Sequence, residues 1–234
     1  MPAGAVEFSR TCEDHKGLPI FPVDVSRQVK YRRCVGCGFV WTPELCAWPR
    51  ERFKEQIYNE DYPLADPDYL NERPKANAAL LVKWFAKVRD EIRHIDYGAG
   101  NGQLSRCLAC EGFNTTAWEP MEQALMLDGD RQFNLVTAFE VFEHCPDPKA
   151  LRADLTRLMA PESLLVFSTL TSDSLGHDWH PGEWWYAAPR NGHVALYSKL
   201  ALRQLLYPLR VFHLSEGLHF AFSTCPKWVE VSVQ

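Results

Sequence analysis

A glycine-rich heptapeptide, Asp96-Tyr97-Gly98-Ala99-Gly100-Asn101-Gly102, constrains the fold of this chain more than any other feature. It begins at the end of a short β-compatible run, IRHIDYG, and leads into a helical pattern that stops near Gly112. Glycines at such a junction let the backbone turn tightly and let a ligand approach it closely. In open parallel sheets, ligands bind in the crevice at the carboxyl ends of the strands. The heptapeptide therefore predicts a ligand site at the loop that connects the first strand of the sheet to the helix after it.

The segments around the heptapeptide alternate between strand and helix patterns. Because parallel neighbours need crossover connections, this alternation predicts an α/β fold with a Rossmann-like, mostly parallel, doubly wound sheet. After the last helix, the runs RVFHL and HFAFS predict an antiparallel hairpin at the sheet edge. The predicted helices are 75–90, 101–112, one capped by Asp147, and 198–206, and the predicted strands after the first are 115–118, 133–139 and 163–170.

The spacing of the glycines separates two classes of cofactor. A dinucleotide fingerprint needs G-x-G-x-x-G, but here the third glycine comes one residue early and Gln103 stands in its place. The carboxylate of Asp96 would repel the negative charge of a pyrophosphate, and it would attract a ligand that carries an ammonium or sulfonium group. Glu119 follows 21 residues after Gly98, where an acid at the end of the second strand can accept both hydroxyl hydrogens of a ribose. The pattern favours a zwitterionic nucleoside cofactor over a nicotinamide dinucleotide.

From about Lys75 to the C-terminus the chain resembles class I S-adenosylmethionine (SAM)-dependent methyltransferases. DYGAGNG is similar to their first motif, AWEP to their second-strand acid, and FNLVTAFEVFEHCPDP to their fourth-strand motif. The resemblance implies that Glu119 binds the ribose of SAM and that Glu140 and His144 flank the reaction centre. It also implies that the methionine part lies among Asp96, Gly98, Gly100 and Gly102.

One departure from the family pattern concerns the adenine of the cofactor. Only 13 residues separate Pro120 from Asn134, which is too few for the usual helix, strand and adenine-contacting acid. Asp128 or Asp130 is the candidate substitute.

The chain divides into three predicted segments. Residues 1–57 form an N-terminal cysteine-rich element, 58–74 an irregular linker, and 75–234 the methyltransferase domain. Tyr62 and Arg73 in the linker, together with Tyr69, are candidates to fold over the cofactor carboxylate.

Four of the eight cysteines fall in the first 46 residues. Cys12-x2-His15 and Cys34-x2-Cys37 have the pairwise spacing of a structural zinc ribbon, with Cys46 as an alternative to His15. The segment Cys34-Val-Gly-Cys37-Gly also resembles the CxxCG element that precedes the catalytic domain in a subgroup of small-molecule methyltransferases. The alternative is a small segment that packs through apolar contacts and keeps free thiols.

An aromatic segment, 171–198, follows the last predicted parallel strand. We expect it to close over the acceptor as a lid or pocket wall, although Trp184, Trp185 and Tyr186 could equally bury apolar area against the sheet. Methyl transfer needs an in-line acceptor, so a base is optional. His144, His180 and His193 are the candidate bases for a hydroxyl or acidic carbon, each against the alternative of a structural histidine.

The composition of the chain excludes some classes of binding partner. A net charge of −5 over 234 residues argues against a nucleic-acid partner. The absence of an apolar run long enough to span a bilayer, and of a signal-peptide pattern, leads us to expect a cytoplasmic protein without a membrane partner. The sequence thus predicts a SAM-dependent methyltransferase of a small or medium metabolite, with a sugar or carbohydrate-linked compound as one candidate. The alternatives are a nicotinamide-dependent oxidoreductase and a non-catalytic binding module of the same fold.

Overall fold

The computed structural model describes residues 5–14, 16, 27–122, 131–175 and 181–232. Within these ranges, ten strands form one sheet of six strands and one of four. The strands are β1 (Ala5–Thr11), β2 (Gln28–Cys34), β3 (Val40–Trp41), β4 (Arg93–Tyr97), β5 (Asn114–Trp118), β6 (Phe133–Phe139), β7 (Met159–Ser168), β8 (Ala195–Leu196), β9 (Arg210–His213) and β10 (Leu218–Phe222). The α-helices are α1 (Pro43–Cys46), α2 (Arg50–Gln56), α3 (Tyr62–Ala65), α4 (Glu72–Phe85), α5 (Gln103–Cys110), α6 (Pro148–Leu158), α7 (Lys199–Leu206) and α8 (Lys227–Ser232).

The six-stranded sheet has the order β5-β4-β6-β7-β10-β9. The pairs β4–β5, β4–β6 and β6–β7 are parallel, whereas β10 pairs antiparallel with both β7 and β9. This arrangement confirms the predicted Rossmann-like sheet, and β9 and β10 are the predicted hairpin at its edge.

Two hydrophobic clusters cover the two faces of this sheet. One contains Leu81 and Phe85 of α4 with Leu108 of α5, and the other contains Leu151 and Leu155 of α6. The central strands are therefore apolar at successive positions, as is typical of parallel strands covered on both sides. The N-terminus of α6 is fixed by the Asp147 carboxylate, which accepts hydrogen bonds from the backbone N–H groups of Lys149 and Ala150 at 3.0 and 3.1 Å.

Strand β5 is the edge of the sheet on the side opposite β9. Across the described parts of the chain no strand lies beyond β5, in agreement with the short spacing between Pro120 and Asn134. The candidate adenine acids, Asp128 and Asp130, lie outside the described residues.

The four-stranded sheet joins the N-terminal region to the rest of the chain. Its order is β1-β2-β3-β8, so a strand from residues 195–196 pairs with β3 near the N-terminus. Tyr31 of β2 is fully buried and its hydroxyl donates to the carbonyl of His193 at 2.7 Å. The N-terminal strands thus share one hydrophobic core with the six-stranded sheet.

The prediction that 58–74 is an irregular linker is wrong, because most of this segment is helical. This segment contains α3, a 3₁₀ turn at Pro67–Tyr69 and the first turn of α4, which begins at Glu72. Tyr62 and Ala65 are buried, and Pro63 and Pro67 stand in the first turns of their helices, where proline is favoured.

Candidate functional site

A cavity of about 710 Å³ opens at the carboxyl ends of β4, β5 and β6. Its floor is the glycine-rich loop, and its opposite wall comes from α2, α3 and the start of α4. The side chains that line it include Phe53, Tyr58, Tyr62, Arg73, Asp96, Glu119, Met121, Glu140, Val141, His144 and Leu151.

The glycine loop has the tight turn that the sequence predicts. The N–H groups of Gly98 and Ala99 donate to the carbonyl of Trp118 at 2.8 and 3.1 Å, which ties the loop to the end of β5. Gly98, Gly100 and Gly102 have φ values of 73°, 51° and 75°, which L-residues rarely adopt.

Gly102 lies outside the main cavity, and its contact with the cofactor stays a prediction. Gly98 and Gly100 line the main cavity, whereas Gly102 caps the N-terminus of α5 and faces a neighbouring groove of about 390 Å³. Helix α5 begins at the next residue, Gln103, so Gly102 is part of the turn before the helix and not of the wall of the main cavity.

Asp96 lies at the tip of β4, lines the cavity and is almost fully buried. Its carboxylate accepts a hydrogen bond from the Thr137 hydroxyl at 2.9 Å. Burial raises the pKa of Asp96 to about 7, and the hydrogen bond from Thr137 opposes that shift. A cationic ligand group in the cavity would therefore favour the ionised carboxylate.

Glu119 follows the last residue of β5, at the cavity wall. One carboxylate oxygen accepts from the N–H of Gly100 and the other from the N–H of Met121, each at 2.9 Å. A carboxylate offers about four lone-pair sites, so two remain for hydroxyl donors.

Arg73 and Glu140 meet on the α4 side of the cavity. The guanidinium of Arg73 makes a bidentate pair with Asp66 at 2.6 and 3.0 Å, and it lies 3.9 Å from the Glu140 carboxylate. Glu140 has a φ of 53° and accepts from the Ser168 hydroxyl at 2.7 Å. Both residues and Tyr62 line the cavity, but Arg73 is already paired with Asp66, so it does not face a cofactor carboxylate as a free cation.

His144 lines the cavity and belongs to a buried polar cluster. Its Nδ1 lies 3.0 Å from the Tyr58 hydroxyl and 3.3 Å from the carbonyl of Gly192. Burial lowers the pKa of His144 to about 4, so the imidazole is neutral at pH 7. The low pKa keeps the cavity-lining imidazole unprotonated, so it can accept a hydrogen bond or a proton, but it also makes His144 a weak base.

His193 and Glu143 lie behind His144, away from the cavity. One ligand atom from each of the three side chains falls within 4.8 Å of the others, so the group could hold a divalent cation. His193 Nδ1 donates to the carbonyl of Tyr186 at 2.7 Å, and the Tyr186 hydroxyl donates to Glu143 at 2.5 Å. Burial raises the pKa of Glu143 well above its usual value, which favours the protonated acid. His193 does not line the cavity, so direct contact with an acceptor is not supported, and His180 lies outside the described residues.

The aromatic segment after β7 is not a lid over the cavity in its described part, 171–175 and 181–198. Trp184, Tyr186 and Tyr197 are 5%, 2% and 1% exposed and belong to the hydrophobic core. Trp185 is half exposed, and none of the four lines the cavity. For the described residues the expectation of a lid or pocket wall is wrong, because Trp184, Tyr186 and Tyr197 pack in the hydrophobic core.

The predicted zinc site is also wrong. Cys34 pairs with Ala5 across the β1–β2 ladder, whereas Cys12 follows Thr11, seven residues further along β1. At about 3.3 Å per residue, this register separates Cys12 from Cys34 by roughly 23 Å. Two thiolates on one zinc ion lie about 4 Å apart, because each Zn–S bond is about 2.3 Å. Cys34 and Cys37 share the turn between β2 and β3, and His15 lies outside the described residues.

Two cavity residues from the N-terminal region were missed by the sequence reasoning. Phe53 of α2 is buried and lies beside Tyr58, with a ring-centroid distance of 6.4 Å. Tyr58 in turn contacts His144 edge-on at 6.0 Å. No spacing rule links residues 53 and 58 to a loop near 144, since only tertiary packing brings them together.

A mostly parallel sheet, an acid-led glycine loop and a carboxylate after the next strand together define the class I methyltransferase fold. The chain belongs to the methyltransferase domain family, whose model matches residues 69–207. Family membership agrees with the resemblance found in the sequence.

Relatives and solved structures agree with this assignment. The chain is 31% identical over 122 residues to a ubiquinone biosynthesis O-methyltransferase of Erwinia tasmaniensis, which is 41% of this chain and 50% of that protein. The chain thus spans about half the length of this curated relative. The 1,6-didemethyltoxoflavin-N1-methyltransferase of Burkholderia thailandensis shares the fold with a TM-score of 0.53 and 17% identity, over 82% of this chain and 98% of that chain. An O-methyltransferase family protein from the same organism gives a TM-score of 0.51 at 11% identity, over 77% and 64%.

The helices within the described ranges are all too short or too polar to cross a bilayer.

Proposed function

We propose that this chain is a SAM-dependent methyltransferase that methylates a hydroxyl group of a small-molecule acceptor. The observation that carries the proposal is the position of Glu119, whose carboxylate is fixed by Gly100 and Met121 at the wall of the cavity. A carboxylate held this way beside a glycine turn suits the two hydroxyls of a ribose.

The residues present fit SAM. A cavity of about 710 Å³ lies within the usual range for small-molecule sites and leaves space for an acceptor beside the cofactor. A β-carbon added at Gly100 would meet no atom within 4 Å, so the backbone there faces open space. Asp96 and Glu140 supply negative charge for the ammonium and sulfonium groups. When bound, SAM supplies an electrophilic methyl group.

The acceptor class is supported by two observations. Relatives of this chain are named O-methyltransferases, and the neutral His144 lines the cavity where it can take a hydroxyl proton. Exclusion of water by the buried Tyr62 and the half-buried Tyr58 would strengthen the electrostatic interactions inside the cavity. A sugar or carbohydrate-linked acceptor and a cytoplasmic location stay predictions.

The test is methyl transfer by the purified chain from SAM to a panel of phenols, alcohols, sugars and amines, with SAH and methylated product measured by mass spectrometry. We expect transfer to a hydroxyl acceptor, and we expect His144→Asn to lower kcat by about 10²- to 10⁴-fold while the Kd for SAH is unchanged. His213→Asn, on β9 away from the cavity, is the matched control. SAM binding without transfer to any acceptor would instead favour the non-catalytic module, and binding of NAD alone would favour the oxidoreductase.

A further inference from the structure

The segment 190–194 joins the residues that precede the matched family domain to the wall of the cavity. Its backbone carbonyls at residues 191 and 193 accept hydrogen bonds from the hydroxyls of Tyr62 and Tyr31, at 3.3 and 2.7 Å. All five residues of the segment are buried, and Gly192, between the two carbonyls, has a φ of 80°. The backbone of this segment is therefore fixed by side chains from the first part of the chain.

Tyr58 is held against the same segment. The buried guanidinium of Arg190 donates to the carbonyl of Ile57 at 3.0 Å, so the backbone just before Tyr58 is tied to the segment. A β-carbon added at Gly192 would lie 2.6 Å from the Tyr58 hydroxyl oxygen, so a glycine is needed to leave room for that hydroxyl. The Tyr58 ring also packs edge-on against Tyr62, at a centroid distance of 5.2 Å. These contacts fix the Tyr58 hydroxyl at the cavity wall.

The Tyr58 hydroxyl and the Gly192 carbonyl meet at one nitrogen of His144. The Nδ1 atom lies 3.0 Å from the hydroxyl oxygen and 3.3 Å from the carbonyl oxygen. A carbonyl only accepts hydrogen bonds, whereas a hydroxyl can accept or donate, so both contacts are favourable only when Nδ1 carries the proton. Burial lowers the pKa of His144 to about 4, and the hydrogen bond to the Gly192 carbonyl acts against that shift. The two partners therefore favour the Nδ1–H tautomer of the neutral ring.

The other ring nitrogen, Nε2, is unprotonated in this tautomer. Within the described ranges no side chain or backbone group makes a hydrogen bond to it. Because His144 lines the cavity, Nε2 is the nitrogen available to accept a hydrogen bond or a proton from an acceptor hydroxyl. In the opposite tautomer Nε2 would carry a hydrogen and could not accept one. The tautomer thus decides whether His144 can act as a base.

We propose that Tyr58 is a positioning residue for His144: together with the Gly192 carbonyl, its hydroxyl holds the imidazole in the Nδ1–H tautomer and keeps Nε2 available to the acceptor hydroxyl. This inference rests on the proposed function. It makes a residue from before the matched family domain, which begins at residue 69, part of the catalytic machinery.

The kinetic test compares Tyr58→Phe, which removes only the hydroxyl, with Tyr207→Phe, which removes the hydroxyl of a tyrosine that is 72% exposed. We expect Tyr58→Phe to lower kcat about 2- to 10-fold, the effect of losing one neutral hydrogen bond, with the Kd for SAH changed less than about twofold. The Tyr207 control should match the wild type in both quantities. In the His144→Asn background, Tyr58→Phe should lower kcat no further, because the hydroxyl acts through the imidazole.

A spectroscopic measurement on the wild type tests the tautomer without any turnover, and it holds even if Tyr58→Phe does not fold. Long-range nitrogen–proton correlation spectra of histidine-labelled protein distinguish the two neutral tautomers, and the His144 signals are those missing from His144→Asn. We expect the Nδ1–H tautomer. The Nε2–H tautomer would overturn the inference, because the Tyr58 hydroxyl would then donate to Nδ1 and Nε2 could not accept a proton.

The kinetic outcomes separate this inference from the proposed function. Wild-type kcat in Tyr58→Phe, or an equal loss from this change with and without His144, overturns the positioning role while leaving the methyltransferase in place. An unchanged kcat in His144→Asn overturns it as well, since there would be no base to position. Failure of the wild type to bind SAH at all overturns the proposed function.

Discussion

Gly98 is a position where a single added methyl group should disturb the site. A β-carbon added there would lie 2.5 Å from Cγ2 of Val141, and the backbone φ is +73°. The left-handed conformation costs an L-residue roughly 1–2 kcal/mol, and overpacking at the contact costs about 1–3 kcal/mol more. Gly98→Ala should therefore lower the free energy of unfolding by about 2–5 kcal/mol.

Gly100→Ala is the matched control, because its φ is +51° but a β-carbon there meets no atom within 4 Å. Only the conformational cost applies, so we expect a loss of about 1–2 kcal/mol. The double variant Gly98→Ala/Val141→Ala should recover about 1–3 kcal/mol relative to the sum of the single changes, because the truncated Val141 relieves the contact. The assay is urea unfolding followed by two spectroscopic probes. Equal losses for the two glycine variants, or additivity in the double variant, would refute the reasoning.

Three further predictions concern the buried acid, a helix cap and the cysteines. The folded-state pKa of Asp96 is raised to about 7, so its contribution to stability is present at low pH and is lost as pH rises through about 4 to 7. The difference in unfolding free energy between wild type and Asp96→Asn should follow that window, and a pH-independent difference contradicts the burial argument. Asp147→Ala removes both cap hydrogen bonds of α6 and should cost about 0.5–2 kcal/mol in chemical unfolding; an unchanged midpoint would show that the cap contributes nothing. The zinc content found by elemental analysis should be the same in the wild type, Cys12→Ser and Cys34→Ser, and a stoichiometric amount that both substitutions abolish would contradict the separation of Cys12 from Cys34.

The parallel sheet was predictable because its signals are local. The run Phe133–Phe139 is bounded by polar residues and is a strand with those same ends, and Asp147 caps α6 as its sequence predicts. The glycine turn and Glu119 were also predictable, since chain order places them at neighbouring strand ends.

The N-terminal contributions were not predictable in the same way. Strand β8 pairs with β3 across more than 150 residues of sequence, and no local pattern specifies that register. The location of the aromatic segment was not predictable either. A tyrosine such as Tyr186 is as suitable for a hydrophobic core as for a pocket wall, so the residue type does not distinguish the two. Its hydrogen bond to Glu143, on the opposite side of His144 from the cavity, decides between the two.

Glu119, as the ribose-binding carboxylate, is the central residue of the proposed SAM site. Isothermal titration of the wild type and Glu119→Gln with SAM tests this most directly. We expect the wild type to bind one SAM per chain and the variant to bind roughly tenfold or more weakly, because a hydrogen bond to a charged acceptor contributes about 1.5–3 kcal/mol. Equal affinity of the two proteins for SAM, or no heat of binding with the wild type, would contradict the account.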